Sequence, residues 1–270
     1  MKLVKTEIQK MKHCQILLIG IIGLALCPLV QLGGQYVMDE AYREPNFDFA
    51  KLFGAVVWGN TQIFLPIALV MIGGWMIDRE RTQDTLKNVL AVPIGLPLLL
   101  AGKLAVVVLL TAAFAVYSMA ATLAVGLAAG LPGLNTAVLA AGAVQILLAA
   151  LGTCIAALPL VVLFGRLPGA YLGGSVLAFL FGYSILFFKG GLLRNIHPFL
   201  AALNLAGFDT ADYSGTTAPP DLLLSALALV GMLLLAALFV CWPQAKDTPR
   251  KAKAKPRPGA RRGGRSAHRF

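Results

Sequence analysis

Charge is scarce in this sequence: 13% of its 270 residues are Asp, Glu, Lys or Arg, against 58% hydrophobic residues. A chain so poor in charge cannot clothe a water-exposed surface, and its mean hydropathy of +0.78 places it in the polytopic membrane class. Histidine is rarer still. His13, His197 and His268 fall in separate segments, and no HExxH, CxxC or GxSxG spacing occurs, which argues against a zinc centre or a serine-hydrolase elbow. Cys14, Cys27, Cys154 and Cys241 lie in or beside apolar runs and read as small apolar residues, not as metal ligands or a disulfide framework. The fragment "GLPLLLAGKL" fails as a phosphate loop: Pro97 stands where the turn needs glycine, and Leu104 follows Lys103 where magnesium needs a hydroxyl. The expectation is a chain with no catalytic residue, no metal site and no cofactor of its own.

What the sequence does have is long uncharged stretches. Runs able to cover the roughly 20 residues of a bilayer core recur at 16–34, 55–77, 104–127, 136–164, 169–188 and 222–242. They are continuous and Leu/Ala-rich, not alternating, so helices are expected and a barrel is not. The expected fold is an all-α polytopic membrane protein with six transmembrane helices. The first run is too long for a signal-peptide core and lacks a small-x-small site at its end, so it is expected to stay in the mature chain.

Basic residues orient such a bundle. Lys2, Lys5, Lys10 and Lys12 precede the first span, Arg79, Arg81, Lys87 and Lys103 lie between the second and third, Arg166 lies between the fourth and fifth, and ten more follow Trp242. The other side holds Arg43, Lys51, Lys189 and Arg194 beside the acidic Asp39, Glu40, Glu44 and Asp48. By the positive-inside rule both termini are cytoplasmic. Residues 1–15 read as an interfacial helix, with Val4, Ile8 and Met11 on its apolar face and Lys2, Lys5, Gln9 and Lys12 opposite. Residues 16–242 form the six-helix domain. Residues 243–270 read as a disordered basic tail, drawn to anionic lipid headgroups rather than to nucleic acid. The segment 189–221 has apolar patches too short to span, and reads as an outer re-entrant or surface-helical segment, with a plain loop as the alternative. Gly126 with Gly130, and Gly169 with Gly173, have the spacing of close helix packing.

Ion-driven carriers hold a carboxylate or histidine inside the membrane, and these spans contain none. Their most polar positions are Asn60, Thr61, Gln62 and Gln145, which suit either interhelical hydrogen bonds or a substrate path. Charge concentrates instead in "WMIDRERTQDTLKNVLAVP", where six charges fall between Asp78 and Lys87. Good helix formers before Pro93 predict a short cytoplasmic helix after the second span. Its mixed signs suit a protein partner better than lipid.

The string Glu80-x4-Thr85-Leu86-Lys87-x2-Leu90-x2-Pro93, with Gly102-Lys103-Leu104 downstream, resembles the pattern of ABC-2 type permeases, and within them the lantibiotic-immunity and bacitracin-resistance permeases. The opening "TEIQKMKHCQILLIGIIGLALCPL" is similar to theirs as well, while Asp84 stands where glycine is usual. The resemblance covers about the first 242 residues. It implies the membrane subunit of an exporter in the bacterial cytoplasmic membrane, paired with a second permease copy or a paralogue and seated on an ABC ATPase that binds ATP and Mg. It also implies that the helix after span two couples to that ATPase, through Asp78, Glu80, Arg81, Thr85 and Lys87. The alternatives left open are an ATP-independent carrier or channel, and a membrane scaffold or regulator.

Overall fold

The structure, a computed structural model, describes residues 2–11, 14–39, 43–82, 95–188, 190–214 and 219–242. Regular structure among them is entirely helical. Helix α1 covers Lys2–Met11 and α2 covers Leu17–Val37. Helix α3, Phe49–Gly59, runs through a π-helical turn at Asn60–Phe64 into α4, Leu65–Thr82. Then come α5, Leu96–Ala128, and α6, Thr136–Gly165. Helix α7, Tyr171–Tyr183, ends in a 3-10 turn at Ser184–Phe187. Three short helices follow, α8 at Gly191–Ile196, α9 at Pro198–Leu205 and α10 at Ala211–Ser214, and α11 closes the bundle at Leu222–Cys241.

The starts of these helices follow local chemistry. The Asp48 side chain accepts from the Lys51 N–H and caps α3, Asn135 accepts from Val138 and caps α6, and Asp221 accepts from Leu223 and Leu224 and caps α11. Each satisfies an N–H group that the first helical turn leaves without a partner. Pro97 and Pro198 occupy first-turn positions of α5 and α9, where a missing N–H costs nothing.

Among the described residues five helices are long and apolar enough to cross a membrane: Leu17–Val37, Phe49–Glu80, Leu96–Ala128, Thr136–Gly165 and Leu222–Cys241. The sequence reading counted a sixth at 169–188. That stretch forms an apolar helix over Tyr171–Phe187, roughly 27 Å long at standard rises, short of the ~30 Å hydrocarbon core. Its first residues go into the turn from α6, where Gly169 adopts a φ of +68°. Helix α6 is the hub, packing on α3, α4, α5, α7, α9 and α11.

Within the segment 189–221, the described residues 191–214 carry three short helices. Phe199, Leu200, Ala201, Ala202 and Leu203 of α9 are essentially inaccessible, wedged against α6 and α11. Gly152 admits the wedge, since a Cβ there would lie 2.7 Å from the Ala202 Cβ. Of the four glycines whose spacing suggested helix packing, only Gly126 packs, against the Phe49 ring; Gly130 and Gly169 make turns at positive φ and Gly173 faces open space. The spacing coincided with turns instead of marking one interface.

Candidate functional site

At the α1 end of the bundle four charged side chains meet. Lys103, on the second turn of α5, is 1% exposed, and its ammonium reaches Glu7 at 2.9 Å, Glu80 at 3.0 Å and the Met76 carbonyl at 2.8 Å. Those three bonds use every donor a lysine has. Lys10 lies against Glu7 at 2.6 Å and Glu80 at 3.3 Å. Among the described residues two carboxylates and two ammonium groups alternate in this cluster, and such pairing is how charges so deeply buried escape a prohibitive desolvation cost. The cluster joins α1, α4 and α5.

Neighbouring contacts brace it. The buried Asp78 accepts from the Gly169 N–H at 3.3 Å, tying α4 to the turn between α6 and α7. Arg79 stacks over Trp75 at 4.8 Å and donates to the Lys10 carbonyl and Cys14 Sγ. Arg166 donates to the Phe239 and Trp242 carbonyls and fastens the end of α11.

Burial of the Glu7 carboxylate would raise its pKa, but hydrogen bonds and charge from Lys10 and Lys103 outweigh this and leave it below its ordinary 4.5. A carboxyl depressed in the folded state stabilises above its unfolded pKa, and loses that contribution as pH falls through the folded value. The thermal midpoint of the wild-type chain should therefore fall more steeply between pH 5 and pH 3 than that of Glu7→Gln. Parallel curves would show that Glu7 is not paired as described.

In the middle of the bundle the helix Phe49–Glu80 is interrupted by its π turn. Pro66 has no N–H to give the Gln62 carbonyl in the α-helical pattern, and its ring crowds that carbonyl. The chain widens instead, and the Leu65 N–H bonds to the Asn60 carbonyl five residues back. Helix α7 lies directly over the widened turn: a Cβ on Gly182 would sit 2.1 Å from the Gln62 carbonyl oxygen. Asn60 donates to Ser118 at 2.8 Å, and Thr61 meets Thr153 at 3.4 Å. Asn60 thus reaches α5 through its N–H, its Oδ1 staying buried without a hydrogen-bond partner among the described residues, and Thr61 reaches α6.

Gln62 points elsewhere. It lines a cavity of about 660 Å³ at the end of the bundle opposite α1, between residues 35–38, residues 44–55, Gln145 and residues 207–213. One wall is an aromatic stack, with Trp58 and Tyr213 centroids 4.9 Å apart and Phe208 6.2 Å from Trp58. The Gln145 amide donates to the Gly207 carbonyl at 3.1 Å, and Gln35 accepts from the Glu44 N–H. At the rim Lys51 pairs with Glu44 at 2.9 Å.

The residues nominated from sequence divide accordingly. Gln62 and Gln145 share the cavity, whereas Asn60 and Thr61 hold helices together. Asp78 and Glu80 face inward, into the bracing contacts and the ion cluster. Thr85 and Lys87 lie outside the described residues, as do the rest of the expected helix before Pro93 and the basic tail, and Arg81 is described in its backbone alone. Sequence reasoning missed Glu7 as a site residue. Its signal was one acidic residue, three positions before Lys10, among the basic residues of an amphipathic helix.

A family model described as "ABC-2 family transporter protein" matches residues 3–185. Neither the curated proteins nor the solved structures give a match.

Proposed function

From the premise that the chain belongs to the ABC-2 family transporter proteins, and so is a permease subunit of an ABC transporter, we propose that it works as an exporter half driven by a separate ATPase chain. The ATPase would carry ATP and Mg, and this chain would carry no catalytic residue. We place both termini in the cytoplasm of a bacterial cell, a second permease copy or a paralogue beside the bundle, and the basic tail at anionic headgroups. The cargo we propose is an amphipathic compound such as a lantibiotic or another peptide antibiotic, exported for self-protection or resistance.

One observation supports this reading more than the others. The Glu80–Lys103 pair closes the chain on either side of the segment 81–102, and Glu7 and Lys10 bolt the N-terminal helix to the same point. A push delivered to the end of α4 or the start of α5 would reach α1, α4 and α5 together. That is the mechanical requirement for a chain whose spans hold no ion-coupling group and whose energy must enter at its surface. Asp78 and Glu80 would then anchor the coupling helix from behind, while Arg81, Thr85 and Lys87 would meet the ATPase.

The interface half of this proposal has a direct test. Thr85→Asp combined with Lys87→Glu should reduce co-purification of the ATPase by at least tenfold, while membrane insertion and thermal stability stay at wild-type values. Unchanged co-purification would remove these residues from the interface.

A further inference from the structure

The cavity opposite α1 is built from carboxamides whose hydrogen-bonding capacity is only partly used. Gln62 is 6% exposed and lines the cavity, yet its side chain bonds to nothing among the described residues. Its carboxamide atoms are not sealed off, unlike the Oδ1 atoms of Asn60 and Asn204, and so face whatever fills the cavity. Gln31 also lines the cavity and makes no side-chain bond among the described residues. The two remaining glutamines are half-engaged. Gln145 spends its N–H on the Gly207 carbonyl and keeps its oxygen, and Gln35 spends its oxygen on the Glu44 N–H and keeps its amide protons.

The cavity thus presents donors and acceptors side by side, in front of the flat wall of Trp58, Tyr213 and Phe208. We infer that it is a binding site for a ligand carrying secondary amides next to an apolar or ring face, with Gln62 as the deepest contact. A secondary amide offers one donor and one acceptor, which is the complement of a free carboxamide. A cavity of about 660 Å³ is within the range that encloses a small organic ligand or a few peptide residues. The apolar wall supplies burial and the glutamines fix orientation. Two ligand sources share this chemistry, a peptide backbone and an N-acetylated sugar. The inference deepens the transport reading and rests on it only for calling the ligand cargo, because binding can be read with no ATPase present.

Saturation-transfer NMR on the full chain in lipid nanodiscs supplies the test. The probes are an N-acetylated, C-amidated alanyl-phenylalanyl-alanine tripeptide and its ester-linked analogue, which keeps the shape and loses the internal N–H groups. N-acetylglucosamine and glucose form the sugar arm. In one arm or the other the amide-bearing probe should saturate at least tenfold more tightly than its amide-free counterpart, and that arm identifies the source. Gln62→Leu should weaken the preferred probe about tenfold, the size of one lost buried hydrogen bond. Gln31→Leu, at a half-exposed position, should weaken it without any question of folding. Equal binding of amide-bearing and amide-free probes in both arms, no saturable binding, or wild-type affinity in both variants would overturn the assignment. Any of these results would leave ATPase association untouched as a separate question.

Discussion

Lys103→Met should lower the stability of the chain by about 3–5 kcal/mol, the penalty for removing one partner of a buried ion cluster. Glu7 and Glu80 would be left facing each other across the vacated space, with the half-exposed Lys10 between them. Methionine fills a similar volume, so the loss would come from charge and not from a cavity. In a thermal melt of the detergent-solubilised protein this corresponds to a fall on the order of 10 °C. The double variant Lys103→Met with Glu7→Gln removes one carboxylate along with the lysine and keeps the Lys10–Glu80 contact, and should recover at least half of the loss. A single-variant melt within 2 °C of wild type, on the scale of about 0.5 kcal/mol, would mean that the cluster does not hold α1, α4 and α5 together.

The second large effect is expected at Gly182. A methyl group there meets a backbone carbonyl at 2.1 Å, and backbone cannot rotate away as a side-chain tip can. Gly182→Ala must therefore move α7 off the π turn or straighten the turn itself. Overpacking of this kind costs typically about 1–3 kcal/mol and sometimes more. The same substitution at Gly173, also on α7, meets nothing within 4 Å, and should be neutral or slightly stabilising because alanine is the better helix former. Opposite outcomes for two alanines nine positions apart on one helix would separate packing from propensity. If both variants melt alike, α7 does not ride on the Gln62 carbonyl.

The membrane-spanning helices were legible in the sequence because hydropathy acts locally: twenty apolar residues in a row have few other places to go. The polar turn at Asn60, Thr61 and Gln62 was also visible as an exception inside an apolar run. Its division of labour was not, because only the π geometry sends Asn60 and Thr61 toward α5 and α6 while turning Gln62 into the cavity. The wedge formed by α9 was half legible. A helix of eight residues cannot cross a bilayer, and its burial depends on a glycine at position 152, some fifty residues earlier in the chain.

The ion cluster was least legible. Glu7 and Lys103 are 96 positions apart, and helical periodicity put Val4, Ile8 and Met11 on the apolar face of an interfacial helix. In the structure the deepest side chain of that helix is the carboxylate of Glu7. A periodicity argument scores a charged residue as solvent-facing and cannot see the lysine on another helix that makes its burial tolerable. The same blindness applied to Glu80. Its charge suggested an exposed partner surface, whereas the structure turns it inward to Lys103.

The central claim is that energy enters this permease from a separate ATPase, at the end of the bundle where the cluster lies. The most direct measurement is affinity purification of the full-length chain from its native membranes in mild detergent, with quantitative mass spectrometry of everything that co-elutes. The account predicts a soluble ATPase with nucleotide-binding motifs in near-equal amount to the permease. A permease that elutes without any ATPase, while remaining folded by its thermal melt, would contradict it.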